Sequence, residues 1–183
     1  MTDAVDGPDD HLGHGPPADP EAVARTIVLN KLSAQPRTRH ELAEALARRR
    51  VPTEVAERVL DRFEEVGLVD DAAFARSWVE SRHFGRGLAK RALAQELRRK
   101  GVADEVAADA LDQIDAEDES VAARALVRRR LRTMTRLDDP ARLRRLTAML
   151  ARRGYPSGMA MATVREELSE DPDGPAVPEP QPH

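Results

Sequence analysis

The side chains of this sequence best equipped for chemistry are cations, and they are crowded. Arg82, Arg86, Lys90, Arg91, Arg98 and Lys100 fall in one stretch, "SRHFGRGLAKRALAQELRRKG" (81–101), and Arg128, Arg129 and Arg132 fall in another, "RRRLRTMTR" (128–136). Positive charge at this density repels itself unless it meets an anionic surface, either phosphates or carboxylates. Of the 29 bases only Lys31, Lys90 and Lys100 are lysine. Arginine's planar fork suits bidentate contact with both kinds of anion, although an arginine-biased codon usage accounts for the composition equally well. A purely structural role competes with recognition, because cations in the last turn of a helix complement its dipole by a few tenths of a kcal/mol. "RRR" (48–50), "RRK" (98–100) and "RR" (152–153) all sit where a helix is expected to end. What that role leaves unexplained is the surplus in the two stretches above, which are the expected contact surface.

Other chemistries find little support. There is no phosphate-binding loop, "GRG" at 85–87 is too short to act as one, and no nucleophile elbow is present. The chain has no cysteine, which removes thiolate catalysis, disulfides and cysteine-ligated metals. His11, His14 and His183 lie near the ends, and His40 and His83 lack ligand spacing, so no metal and no cofactor is expected. Carboxylate pairs such as Glu64-Glu65 and Asp70-Asp71 stand at helix ends, where capping explains them. The reading is of a binding protein, not an enzyme. No apolar run approaches the ~20 residues of a spanning helix, and a soluble, cytoplasmic protein is expected.

The formal charge of −4 conceals an asymmetry. Residues 1–20 hold five aspartates and no base, and residues 170–183 hold four acids and no base; what remains, 21–169, carries a net +5. Both ends are rich in Pro, Gly and Asp, a composition that buries too little surface to offset ordering entropy, so 1–19 and 170–183 read as disordered acidic tails.

The elements that must hold the cations are helices. β-branched alternation and hairpin turns are missing, while caps are frequent. Asp19-Pro20-Glu21 opens one helix, Thr38 to Glu41 is a capping box, and Thr53, Asp70 or Asp71, Asp104 and Asp139 open others. Gly67, Gly101 and Gly154 close helices, and Gly85 with Gly87 is expected to break one. The expected spans are 20–34, 39–49, 54–66, 72–84, 88–100, 105–115, 119–133, 140–153 and 158–168. Displacing the sequence by 51 superposes Leu42, Leu46, Val51, Val55 and Leu60 on Leu93, Leu97, Val102, Val106 and Leu111; displacing it by 104 superposes them on Leu146, Leu150, Tyr155, Met159 and Val164. An apolar i, i+4 pair followed by a turn and a second stripe makes each unit a small three-helix bundle. The fold class is therefore all-α, a tandem, elongated and curved array of three units at 20–69, 70–117 and 118–169. Phe74 and Trp78, i and i+4 on one helix, belong to a core face, as do Leu93 and Leu97; Phe63 and Tyr155 are expected to staple turns, and Phe84 is ambiguous between packing and stacking.

Residues 71–101 carry D-x-x-F-A-x-x-W-V, then S-R, then G-x-G, then R-x-x-x-x-E-L-x-x-K-G-V, and "PRTRHEL" (36–42) precedes "GLVDD" (67–71). These segments resemble the RecX family, bacterial regulators of the RecA recombinase; the third unit resembles it more loosely, lacking Lys-Gly-Val. The resemblance implies a three-unit helical array without enzymatic activity. It further implies a protein that lies along the groove of the RecA–DNA filament and suppresses filament growth, ATP hydrolysis and strand exchange. The partners expected are RecA and, weakly and non-specifically, DNA. A monomer is expected, since no heptad seam appears. The competing reading is a direct DNA-binding protein built of helix-turn-helix-like units. Against it stand the 24 acids interleaved in the body and the absence of a compact turn followed by base-reading side chains.

Overall fold

The structure, a computed structural model, describes residues 19–171. Among these there are nine helices and no strand: α1 (Pro20–Ala34), α2 (Arg39–Arg48), α3 (Thr53–Glu65), α4 (Asp71–Arg86), α5 (Lys90–Arg99), α6 (Asp104–Leu111), α7 (Ala116–Leu131), α8 (Asp139–Arg152) and α9 (Ser157–Ser169). The acidic segments 1–18 and 172–183, expected to be disordered, lie outside the described residues. Glu170 and Asp171, grouped with the tail from sequence, are structured: Glu170 caps α9, and Asp171 pairs with the buried Arg142 at 3.2 Å.

Each triplet of helices folds around its own core. Val28, Leu42, Leu46, Leu60 and Phe63 fill the first, Phe74, Val79, Leu93, Leu97 and Ile114 the second, and Val127, Leu146, Leu150, Tyr155 and Val164 the third. The i, i+4 leucines of the middle helix are the constant element, and all six are fully buried. Burying a leucine contributes roughly 1.5–3 kcal/mol, so these pairs form the centre of three otherwise thin cores. Extensive helix packing stays within triplets, which makes the molecule three small bundles in series.

Several local expectations are corrected. Thr53 is the first residue of α3, not its cap; Pro52 precedes it and no side chain caps that end. Asp138, not Asp139, caps α8 by accepting from the Ala141 amide at 2.9 Å. Helix α7 begins three residues earlier than expected, because Asp115 and Asp118 form a reciprocal capping box. Gly85 does not break the chain: α4 passes through it and ends at Gly87, whose φ of 65° is left-handed. Phe63 lies in the last turns of α3 with its ring in the core, whereas Tyr155 sits at the α8–α9 turn.

The bundles join through one device used twice. The N-terminus of a bundle's middle helix leaves amides without intrahelical partners, and the next bundle satisfies them. At the first junction Asp71 accepts from the Arg39 amide at 2.8 Å, and the Thr38 hydroxyl donates to the Lys100 carbonyl at 2.6 Å. At the second, Glu119 accepts from the Lys90 amide at 2.8 Å, and the Ala89 amide donates to the Arg153 carbonyl at 3.0 Å. Ala89 has no side chain able to cap α5, so Glu119 of the following bundle does so. The glycine ending the next middle helix lies directly on this N-terminus. A Cβ on Gly101 would collide with the His40 ring, and one on Gly154 would stand 2.7 Å from Ala92. The corresponding residue of the first bundle, Arg50, also has positive φ (59°), and its side chain is exposed.

Candidate partner-binding surface

The family-like signature of residues 71–101 is the inside of the first junction. Trp78, half-buried on α4, stacks against Phe74 at 5.6 Å between centroids and donates its indole N–H to Glu96 at 2.8 Å. The Arg82 guanidinium lies 4.2 Å from the Trp78 ring and 3.9 Å from Glu96. The Lys100 ammonium sits 4.3 Å from the same ring and 5.2 Å from that of Phe74, and donates to Glu41 of the first bundle at 2.8 Å. Burial pushes the Glu41 carboxyl up, but the Lys100 ammonium, the Thr38 amide and Arg37 outweigh burial and hold it below its ordinary value. Asp71, Phe74, Trp78, Arg82, Glu96, Lys100 and Gly101 thus serve one joint.

This geometry divides the nine cations expected to contact a partner. Arg82 and Lys100 belong to the joint, Arg98 pairs with Asp104 at 3.1 Å, and Arg128 pairs with Glu167 at 2.5 Å and Glu170 at 3.5 Å. The Glu167 contact, followed by Glu170 and Glu166, raises the Arg128 pKa further. Arg86, Lys90, Arg91, Arg129 and Arg132 have no carboxylate partner among the described residues. Nor do all of these face one way: Arg132 borders a recess with Glu167, Glu170 and Asp171, whereas Arg129 faces α8.

Arg129 leads to a surface that the sequence reading missed. Between α7 and α8 runs an open groove of about 740 Å3, floored by Leu126, Met134 and Met149 and walled by Arg129, Arg130, Arg144, Arg145, Arg152 and Arg153. No carboxylate lines it, and none of the six pairs with one among the described residues. Acids of the third bundle lie elsewhere: Glu166 and Glu167 on α9 pair with Arg124 and Arg128 on the other side of α7. The signal was present, since neither 120–137 nor 140–165 contains an acid. It was obscured by reading Arg152-Arg153 only as a helix end. Arg86 adjoins the groove, its carbonyl accepting from Arg153 Nε at 3.4 Å. Among the described residues no acid or histidine cluster has metal-binding geometry, and no helix is long and apolar enough to cross a membrane.

Three family models match the chain in tandem: "RecX, first three-helix domain" at residues 24–63, the second at 70–111 and the third at 117–164. Among curated relatives, the regulatory protein RecX of Streptomyces coelicolor is 57% identical over 156 residues, covering 85% of this chain and 83% of that protein. The RecX of Thermobifida fusca is 52% identical over 169 residues, covering 92% and 90%. The crystal structure of RecX from Lactobacillus salivarius superposes with a TM-score of 0.72 at 19% identity over 82% of this chain and 98% of that one, which speaks for the fold. A second crystal structure, of a regulatory protein RecX, gives 0.72 at 26% identity, over 81% and 74%. With three bundles in the family's order, its signature forming the joint between the first two, and relatives sharing half their residues over most of the length, this chain belongs to the RecX family of regulatory proteins.

Proposed function

We propose that this protein acts by binding, without catalysis of its own, to the filament that RecA forms on DNA, and that it restrains filament extension, ATP hydrolysis and strand exchange. The observation that carries the reading is membership of a family of regulatory proteins across all three bundles. The surface supports it. A series of bundles joined by narrow contacts suits a helical polymer, because each bundle engaged raises the effective concentration of the next. The cations without a carboxylate partner among the described residues, Arg86, Lys90, Arg91 and the six arginines of the α7–α8 groove, are available to phosphates or acidic side chains.

Co-sedimentation tests the binding step. The protein is mixed with RecA filaments preformed on single-stranded DNA, with RecA alone and with DNA alone. Pelleting with filaments at concentrations where DNA alone leaves it in the supernatant supports the proposal. Equal pelleting with filaments and bare DNA transfers support to a direct DNA-binding protein.

A further inference from the structure

We propose that the groove between α7 and α8, together with Phe84, is a subsite for single-stranded nucleic acid, with backbone phosphates held by the six arginines and a base stacked on Phe84. This inference stands apart from the filament reading: a chain that binds single strands but not RecA keeps the subsite and loses that function.

The arginines come in three adjacent pairs, Arg129-Arg130 on one wall, Arg144-Arg145 and Arg152-Arg153 on the other. At 1.5 Å of rise per residue the two α8 pairs lie about 12 Å apart along the helix, so they address successive anions of an extended ligand, not one small ion. Elsewhere in the same bundle arginines meet carboxylates, as Arg124, Arg128 and Arg142 do. The groove gathers cations and keeps acids out, so its self-repulsion is relieved by a ligand with repeated charge.

Phe84 decides between a polyanion with bases and one without. It is 65% exposed, the most exposed large apolar side chain among the described residues. Its ring packs T-shaped against buried His83, 4.9 Å between centroids at 82°. The recess beside it, lined by Val121, Ala125, Arg86 and one acid, Asp118, shares Leu126 and Arg129 with the arginine groove. The arginine groove therefore runs on to an exposed aromatic ring with Val121, Ala125 and Leu126 beside it, and cations next to an aromatic platform are the combination that holds unpaired nucleotides. In a duplex the base faces are already stacked and Phe84 has nothing to cover.

The test is fluorescence anisotropy of the full chain with labelled oligo-dT, with a duplex of equal length, and with polyglutamate as competitor. The wild type binds oligo-dT with a log–log salt slope of about −4, as six phosphate contacts require on a single strand. Arg145→Glu/Arg152→Glu, both exposed positions, reduces the slope by about 1.5 or more and weakens binding at least about tenfold; Arg145→Gln/Arg152→Gln moves the same way by less and guards against misfolding. Phe84→Ala weakens oligo-dT about 5- to 100-fold, keeps the slope, and leaves duplex binding unchanged. Unaltered binding by both arginine variants overturns the groove. Equal loss of duplex binding in Phe84→Ala, or no loss at all, overturns the single-strand assignment. Displacement by polyglutamate at equal charge assigns the surface to an acidic protein instead.

Discussion

Lys100 shows at the scale of one residue how a cation legible as a binding group becomes a structural one. Its ammonium lies over two aromatic rings and on Glu41, so its contribution is to the joint. The pairing has a pH signature. A carboxyl held below its ordinary 4.5, as Glu41 is, contributes stability that is whole above that value and is lost as pH falls through the lower folded value. Melting temperatures of the wild type and Glu41→Gln are therefore expected to differ at pH 6 and to converge toward pH 3; a constant difference contradicts the pairing. Tyr155 gives an opposite sign at the other end of the scale. Burial first, then Glu119, raises its phenol to about 12, with Arg153 opposing, and its hydroxyl donates to the Gly87 carbonyl at 3.2 Å. Stability from this group is whole below the ordinary 10 and is lost as pH rises through about 12. As the chain has one tyrosine, phenolate absorbance reports it alone; ionisation is expected near 12, and ionisation near 10 in folded protein contradicts the buried placement.

The recurrent basic helix ending in glycine is explained at the level of elements by its junction. Gly101 and Gly154 adopt left-handed conformations where a neighbouring N-terminus leaves no room for a Cβ, while Arg50 adopts the same conformation with its side chain exposed. Gly101→Ala is expected to cost about 2–5 kcal/mol in urea unfolding, combining left-handed strain with overpacking, and Arg50→Gly to change stability by no more than about 1 kcal/mol; similar costs at both positions contradict this account. The far end of the array is built differently. Helix α8 carries a first turn that α2 and α5 lack, with its own Asp138 cap, and buried Arg142 stands where Ala89 offers its amide in α5. Helix identity and repeat order were legible because apolar spacing and caps are local. The joint was not: nothing local tells that Glu119 serves Lys90, or that Lys100 points inward, since each depends on how two bundles meet. The α7–α8 groove lies between, written as acid-free sequence but visible as a site only once two helices face each other.

Among the described residues the molecule is three cores in series, with Arg50 at one end of the array where the junctions have glycine, and the extra first turn of α8 at the other. A monomer is the expected state in sedimentation equilibrium; a concentration-dependent head-to-tail series contradicts that expectation. The same construction gives a long surface from many weak contacts, which suits a polymeric partner. If Arg86 and Lys90 belong to that surface, Arg86→Glu/Lys90→Glu retains its fold and loses most filament binding, and full binding by the folded variant removes them from it. The proposed restraint of a recombinase filament is read out by RecA's DNA-dependent ATP hydrolysis, with this protein titrated onto preformed filaments beside a binding curve on bare DNA. Inhibition is expected well below one protein per RecA, at concentrations where bare DNA stays unbound. Inhibition that begins only once the DNA itself is saturated, or none at all, contradicts it.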